Sequence, residues 1–510
     1  MTDLKDDEPS ILESCITAQP STDFHSPVLS ADDVGSDKQS TRGVTSFRCN
    51  ISEFPNRNTA TNDSQGPFNC VHQTKIPQEI MAVDSAILAI NAGSSSVKFS
   101  LFSRDGKNLL VSADVKGLTS SLTTLNYTAF FTEDGSTIEE IEGQEVEVKD
   151  HEDAFKVFVG HLTSDDREDK KVLESGDKIE VTCHRIVHGG ASPEPLVIND
   201  ETYKRLDDLS DLAPLHNHPA LLIVKACMKV LPKSKNVAYF DSSFHTTIPE
   251  HIFTYPVDPS LAKEKKIRKY GFHGLSYSFI TKTVAKHLGK KVDDVNIVAL
   301  HLGSGASACC IKGGKSLDTS MGLTPLEGLP GGTRSGTIDP SVPFHLLSNS
   351  SDMSSKAAKE LHLSKAEQML NKESGWKALC GTTDFGEVTK KAFADQPDEM
   401  CKIAFDLFVD RIIGYIGSYY VKLGGKVDAL VFAGGIGEKG EKLRAAVGKY
   451  VECLGFQIDE SKNGKAKGKE TVEAISAEGG EGEGKKVLVV KTDEQGECAR
   501  QLVENPPKFD

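Results

Sequence analysis

Two arginines, a histidine and a carboxylate stand in short polar segments that follow apolar runs. Cys183-His-Arg-Ile-Val-His-Gly-Gly190 carries Arg185, and Tyr239-Phe-Asp-Ser-Ser-Phe-His245 carries Asp241. Arg268-Lys-Tyr-Gly-Phe-His-Gly274 sets His273 among small and aromatic residues, and Gly331-Gly-Thr-Arg-Ser-Gly336 holds Arg334 in a glycine-flanked loop. A guanidinium presents a planar fork of donors that matches carboxylate and phosphate oxygens. Loops that follow strands are where binding groups are usually displayed. Each segment alone is also the pattern of a surface salt bridge or a satisfied core histidine. Together they suit a site that handles anions. His216-Asn-His218 lacks a third ligand at metal spacing, so it is set aside as a metal site.

Three glycine-rich turns follow apolar runs: Asn91-Ala-Gly-Ser-Ser-Ser96, His301-Leu-Gly-Ser-Gly305 and Gly434-Gly-Ile-Gly437. Glycine lets backbone N–H groups close around phosphate oxygens. One such turn is weak evidence, and three in one chain are stronger. Other phosphate and nucleophile signatures fail. Gly314-Lys315-Ser316 ends like a P-loop, but Cys309 stands where its first glycine must be. No Gly-x-Gly-x-x-Gly opens a helix near the first strand. Neither a Gly-x-Ser-x-Gly elbow nor His-Glu-x-x-His occurs.

Strand-like runs are expected at 87–90, 97–102, 109–115, 179–183, 237–240, 297–302, 308–311, 429–433 and 487–490. Helical patterns fall at 217–231, 276–288, 354–371, 400–422 and 494–504. Strands come first in hairpin-like succession and later alternate with helices, which suits an α/β or α+β chain with mixed sheets. The strand–Gly/Ser turn–strand unit near Asn91 recurs near Gly303, so a duplicated two-lobe fold is expected. The stretch 461–485 is of low complexity and reads as a flexible surface loop.

The 510 residues carry 59 basic and 74 acidic side chains, a net charge of −15, which does not suit a general nucleic-acid binder. No apolar run approaches the ~20 residues of a membrane span. The eleven cysteines form no Cys-x-x-Cys pair, so reduced thiols in the cytoplasm are expected rather than a zinc or disulfide framework. Residues 1–80 are rich in Ser, Thr, Asp, Asn and Pro without apolar periodicity. They read as a disordered extension dispensable for catalysis. The acidic start MTDLKDDEPS has the order of neither a secretory signal nor a transit peptide.

The order of motifs resembles that of the acetokinase family, within the sugar kinase, Hsp70 and actin superfamily. Matching segments run from Ile90-Asn-Ala-Gly-Ser-Ser-Ser-Val-Lys98 through the segments of Arg185 and Asp241, with Ala213-Pro-Leu-His-Asn217 between them, to Tyr270-Gly-Phe-His-Gly274. They continue with His301-Leu-Gly-Ser-Gly305, Asp318-Thr-Ser-Met-Gly322, Thr324-Pro-Leu-Glu-Gly-Leu329, Gly332-Thr-Arg-Ser-Gly336, Phe432-Ala-Gly-Gly-Ile-Gly-Glu438 and Thr492-Asp-Glu494. The resemblance covers about residues 86–504. It implies two duplicated lobes around a nucleotide cleft, lobe I being 86–243 plus 495–510 and lobe II 244–494.

The resemblance also implies reversible transfer of the γ-phosphoryl group of ATP to acetate, giving acetyl phosphate and ADP, with Mg²⁺ or Mn²⁺, in a cytoplasmic homodimer. Asn91 and Glu494 are then the metal residues, and Lys98 with the first turn meets phosphates. Arg185 holds the acetate carboxylate, and Val187, Leu215, Phe272 and Pro325 line the acyl pocket. Asp241, His273 and Arg334 are the catalytic set. His301, Leu302, Gly303, Ser304 and Gly305, then Asp384, Phe385 and Gly386, then Gly435, Ile436, Gly437, Glu438 and Lys439 form the nucleotide side. Ser304, Gly386, Lys439 and Gln495 depart from the family's usual Asn, Arg, Asn and Glu. The acid side therefore matches more fully than the adenosine side. A propionate- or butyrate-type kinase is a close alternative. A nucleotide-binding regulatory protein of the actin/Hsp70 type is a distant one, because it has no need of Arg185 and Arg334.

Overall fold

The computed structural model describes residues 83–130, 135–164, 171–210, 213–347, 364–478 and 485–509. The expectation for residues 1–80 lies outside them.

Fourteen strands among the described residues form two sheets. The first sheet contains β1 (Ala86–Ala92), β2 (Ser96–Ser103), β3 (Leu109–Lys116), β4 (Thr124–Phe130), β5 (Thr137–Glu145), β6 (Ile179–Ile186), β7 (Leu196–Ile198) and β8 (Lys235–Phe240). Its order is β5-β4-β3-β2-β1-β6-β8-β7. The second contains β9 (Ile297–Leu302), β10 (Ala306–Lys312), β11 (Lys315–Thr319), β12 (Ala429–Ala433), β13 (Val472–Ala474) and β14 (Lys486–Val490), in the order β11-β10-β9-β12-β14-β13.

The two sheets share one plan. In the first, β3, β2 and β1 are antiparallel neighbours and β1, β6 and β8 run parallel. In the second, β11, β10 and β9 are antiparallel and β9, β12 and β14 run parallel. This is the duplication expected from the two Gly/Ser turns. The parallel strands are covered on both faces, which is why they read as continuous apolar runs rather than alternating ones. In the second sheet, Val298, Leu300, Leu430 and Phe432 face the helix Glu399–Lys422, while Ile297, Ala299, Ala429 and Val431 face the helix Gly274–His287.

The helix Glu494–Glu504 lies on the first sheet, where Cys498, Ala499 and Leu502 pack with Ile87, Ala89, Cys183 and Val237. It also packs on the helix Gly274–His287. Glu497, fully buried between them, accepts from Ser278 Oγ at 2.6 Å and pairs with Lys282 at 3.1 Å and with Arg500. A buried carboxylate is tolerable only with such partners.

Strands β4, β5, β7, β11 and β13 were not expected from the sequence. Most of these are short or have one exposed face, so their apolar runs are weak. The stretch 461–485 corrects its expectation. Glu460–Lys465 is a helix capped by Asp459, β13 follows, and only 479–484 fall outside the described residues. Its ordering comes from Arg444, a fully buried guanidinium that donates to Asn463 Oδ1, Asn463 O and Ala466 O at 2.7–2.9 Å. Among the described residues no helix is long and apolar enough to cross a membrane.

Burial holds His184, His188 and His245 neutral, each lowered to about 4. The unfolded chain takes up a proton near pH 6.5 while the folded one does not until near 4. Their contribution to stability is therefore complete above about 6.5 and falls as pH drops toward 4, by up to about 3 kcal/mol each. Urea midpoints should decline from pH 7 to pH 5, and a flat profile over that range contradicts the neutral burial.

Candidate active site

The parallel strands of each sheet end in the turns that carry the polar residues. Asn91 ends the paired stretch of β1, and Arg185 lies beside it in register on β6. Asp241 follows β8, with its backbone N–H bonded to Ile186 O at 3.1 Å. Three strand ends thus bring Asn91, Arg185 and Asp241 together. Glu494 joins them as the first residue of the last helix, whose neighbour Gln495 donates to Ala89 O at 3.1 Å.

Arg185 is the hub. Its fork grips Asp241 through Nε at 3.1 Å and Nη2 at 2.6 Å. Nη1 donates to Asn91 Oδ1 at 3.1 Å, and Nη2 lies 3.6 Å from Glu494 Oε1. Asn91 Nδ2 donates to Glu494 Oε2 at 3.4 Å. Burial raises the Asp241 carboxyl, and the Arg185 charge and hydrogen bonds offset part of that rise. The bidentate geometry is that of an ion pair and keeps Asp241 anionic at neutral pH. Burial also pushes Glu494 up, but Arg185, His301 and Lys98 outweigh it and hold the carboxyl below its usual value. The carboxylate of Glu494 and the amide oxygen of Asn91 are hard oxygen donors side by side. Two such groups, with phosphate oxygens and water completing the shell, are the donor set Mg²⁺ takes.

His273 holds the backbone at φ +59° and caps the helix Gly274–His287, whose Gly274 N–H donates to Asp241 O at 3.0 Å. A positive φ on a non-glycine residue is held in place by its surroundings. Its ring stacks on His301 with centroids 4.1 Å apart. Each imidazole is oriented through Nδ1, His273 by Ser307 Oγ and His301 by Ser276 Oγ, both at 2.8 Å. Ser307 is fixed by Tyr277 at 2.6 Å and Ser276 by Thr492 at 2.7 Å. Burial first, then the neighbouring His301 and both arginines, push His273 well below its ordinary value. It is therefore a neutral hydrogen-bonding group at pH 7.

Arg334 lies against the second glycine turn. A Cβ on Gly305 would stand 2.8 Å from its Nη1. Its Nη2 donates to His216 Nε2 at 2.9 Å and Nη1 to Pro325 O at 3.4 Å. Among the described residues no ion pair neutralises it. Burial and the Arg185 charge lower it to about 10, so it stays cationic. His216 is thus an arginine holder rather than a metal ligand. Asn217 clamps the His188 backbone from both sides, accepting from N and donating to O at 2.9 Å. Sequence reasoning missed these two, together with Ser276, Ser307 and Thr492. His216, Asn217 and Thr492 lay within the matching segments Ala213-Pro-Leu-His-Asn217 and Thr492-Asp-Glu494 but were given no role, and Ser276 and Ser307 carried no signal.

Val187 and Phe272 of the expected acyl pocket meet in one apolar cluster with Tyr270, Met321 and Leu323. Pro325 reaches the site through its carbonyl bond to Arg334, and Leu215 precedes His216 in the chain.

On the nucleotide side, the turns after β9 and β12 lie side by side because those strands are parallel neighbours. Gly434 (φ +73°) sits so close that a Cβ would be 2.7 Å from Leu302 O. The side chain of Leu302 is buried, so this residue offers only backbone. Gly435, Ile436 and Gly437 begin the short helix Gly434–Lys439, and Glu438 Oε1 accepts from Thr492 N at 3.4 Å. Lys98 lies opposite Asn91 on β2, and its charge acts on Glu494 and His301. Asp384 caps the helix Phe385–Ala392 by accepting from Gly386 N at 2.7 Å, and the Phe385 ring is buried against Trp376 and Phe408. At Gly386 only backbone is available to a nucleotide.

Two sheets of one duplicated plan, with glycine turns and an arginine–carboxylate hub at their strand ends, define a two-lobed kinase of the actin/Hsp70/sugar-kinase class. The family model described as the Acetokinase family matches residues 86–500, and the chain belongs to that family. It is 50% identical over 416 residues to a probable acetate kinase of Emericella nidulans, covering 81% of this chain and 96% of that protein. The crystal structure of Porphyromonas gingivalis acetate kinase superposes with a TM-score of 0.69 at 32% identity, over 83% of this chain and 100% of that one. A propionate kinase from Francisella tularensis gives 0.67 at 32% identity, over 82% and 98%.

Proposed function

We propose that the protein transfers the γ-phosphoryl group of ATP to acetate, reversibly and by direct in-line displacement, forming acetyl phosphate and ADP. The observation that carries this reading is the pair of arginines. Arg185 stands two residues before Val187, which packs with Phe272 in the apolar cluster, and Arg334 lies against the second glycine turn with no carboxylate partner among the described residues. An acetate ion is already a nucleophile at pH 7, so no base is needed to activate it. What opposes attack is its repulsion from the nucleotide's phosphates, and fixed cations relieve that.

In this reading Arg185 draws the acetate carboxylate toward it while the methyl group enters the apolar cluster. Asp241 fixes the Arg185 fork and takes no proton. Neutral His273 donates to an oxygen of the transferring group, and Arg334 meets charge spread over that group. Asn91 and Glu494 hold Mg²⁺, or Mn²⁺, which supplies charge neutralisation at the phosphates. His301 to Gly305 and Gly435 to Lys439 cradle the nucleotide, with 384–386 contributing backbone. The division into lobe I (86–243 plus 495–510) and lobe II (244–494), a homodimer and a cytoplasmic location belong to the same reading. Sedimentation tests the dimer.

A hydroxamate assay with ATP, Mg²⁺ and acetate should trap acetyl phosphate, and no product would overturn the reading. Propionate is the second candidate, because Met321 is a flexible side chain at the pocket wall. One methylene is worth about 1–3 kcal/mol. Acetate should therefore exceed propionate by about 10- to 100-fold in kcat/KM, and a reversed order makes this a propionate-type enzyme.

A further inference from the structure

The loop that carries Arg334 is held between two neighbours, and one of them brings a second unpaired cation. On one side is the phosphate turn. Gly332 N–H donates to Ser304 O at 2.9 Å, and a Cβ on Gly331 would stand 2.4 Å from that oxygen. On the other side the segment 370–377 is laced to the loop along its length. Ser335 N–H donates to Leu370 O at 3.0 Å and Thr333 Oγ1 to Asn371 O at 2.7 Å. Ser374, Trp376 and Lys377 N–H groups donate to Thr333, Gly331 and Gly332 carbonyls at 2.9–3.1 Å. Gly375 (φ +64°) leaves no room for a side chain, since a Cβ would lie 2.1 Å from Gly331 O and 3.0 Å from Arg334 N. So close a lacing fixes where Lys372 begins. It is the last residue of the helix Lys365–Lys372, next to the Asn371 carbonyl that Thr333 holds.

Lys372 is half-buried, and no ion pair among the described residues involves it. Its neighbour Glu373 turns instead to Gln368, accepting from Nε2 at 2.6 Å. The charges that act on Lys372 are Arg334 and Lys377, both positive, and with burial they lower its ammonium. Its own charge acts in turn on His216, the partner of Arg334. The carboxylates Asp241 and Glu494 are both engaged by Arg185. Neither Arg334 nor Lys372 has a carboxylate partner among the described residues, and the segments that carry them are laced together through Ser335, Thr333 and Ser374. Cations displayed beside a glycine-lined turn make a place that favours an anion.

We infer that Lys372 is a further cation of the phosphoryl-transfer site, delivered by the segment 370–377 to contact a phosphate oxygen of the nucleotide or acyl phosphate alongside Arg334. This rests on the kinase reading. The ammonium supplies a movable point charge, whereas the guanidinium of Arg334 is fixed by His216 and Pro325. Such a charge can follow the phosphoryl group as it moves from donor to acceptor.

The test compares the full-length parent enzyme with Lys372→Met, Lys372→Gln and Lys372→Arg, by initial rates in both directions and by thermal unfolding. A charged hydrogen bond is worth about 1.5–3 kcal/mol, so the Met and Gln variants should lose about 10- to 100-fold in kcat. KM for acetate should change less than about twofold, KM for acetyl phosphate should rise, and Tm should hold, since the methionine and glutamine side chains keep much of the lysine's length and no ion pair is lost. Arginine at 372 should recover most of the rate. Neutral variants with near-parental kcat, or an arginine variant as damaged as methionine at unchanged Tm, overturn the assignment alone. A parent enzyme that makes no acetyl phosphate overturns the kinase reading and the Lys372 assignment with it.

Discussion

Arg334→Ala should lower kcat by at least ~10²-fold while leaving the fold intact, because the arginine's contacts lie in the site and not in the core. Arginines that meet transferring phosphoryl groups are worth about 10³–10⁵ in rate, so two orders of magnitude is a cautious bound. Its bonds are to His216 and to the Pro325 carbonyl, and neither helps build either sheet. Truncation removes an uncompensated buried cation, which by itself is not a stabilising feature. Tm should therefore stay level or rise slightly. Lysine at position 334 should rescue poorly. A point charge lacks the fork that reaches His216, Pro325 and a phosphoryl oxygen together. The loss should fall on kcat and kcat/KM alike, as for an interaction made in the transition state. Near-normal kcat with unchanged KM in Arg334→Ala would remove Arg334 from the mechanism and Lys372 beside it.

The strands that build the site were legible because parallel strands covered on both faces read as unbroken apolar runs. Ile87–Ile90, Ile297–Leu302, Ala429–Ala433 and Val487–Val490 lie within observed strands, and the last helix matches at Glu494–Glu504. The helices His151–Thr163, Phe385–Ala392 and Glu441–Val451 were missed. Phe385–Ala392 is too short to show a period, whereas His151–Thr163 buries Ala154, Phe155, Phe158 and Leu162 at helical spacing and was legible in principle. Gly434–Lys439 was missed for another reason. Three of its first four residues are glycines, Gly434 being required by its tight approach to Leu302, and glycines carry no helical signal. In the site, Arg185 and Asp241 were visible as polar interruptions after strands. The stacking of His273 on His301 was not, because it joins residues of a loop and a strand 28 positions apart. The second shell of serines escaped for the same reason. Ser276 and Ser307 read as ordinary helix and strand residues until the fold sets them against imidazoles. The cap made by Asp384 and the burial of Phe385 were not legible either, because both depend on the helix Phe385–Ala392 and the ring cluster it joins.

Arg185 and Asp241 should behave as one unit, and a double-mutant cycle shows it. Arg185→Ala should raise KM for acetate and also lower kcat by ~10²-fold or more, since the guanidinium meets the carboxylate both before and during transfer. Asp241→Asn removes the charge that aims the fork through Nε and Nη2 but keeps the side-chain shape. The fork then turns toward Glu494, its other carboxylate neighbour at 3.6 Å, and away from the acid. Losing one partner of a buried charged pair costs about 3–5 kcal/mol of stability, and a fork misplaced by about 1 Å should by itself lower kcat by ~10²-fold. Once Arg185 is gone, Asp241 has nothing left to aim. Arg185→Ala with Asp241→Asn should then be little worse than Arg185→Ala alone, whereas independent roles would multiply. The pH dependence separates the same alternatives. If Asp241 were a general base, kcat of the acetate-phosphorylating direction would follow its ionisation and Asp241→Asn would abolish that limb. Acetate needs no deprotonation, and Asp241 is anionic through its pairing with Arg185. Between pH 6 and 8 the kcat profiles of the parent and of Asp241→Asn should therefore run parallel, displaced by the positioning loss. A multiplicative double mutant, or a limb present in the parent and absent in Asp241→Asn, would return Asp241 to proton transfer.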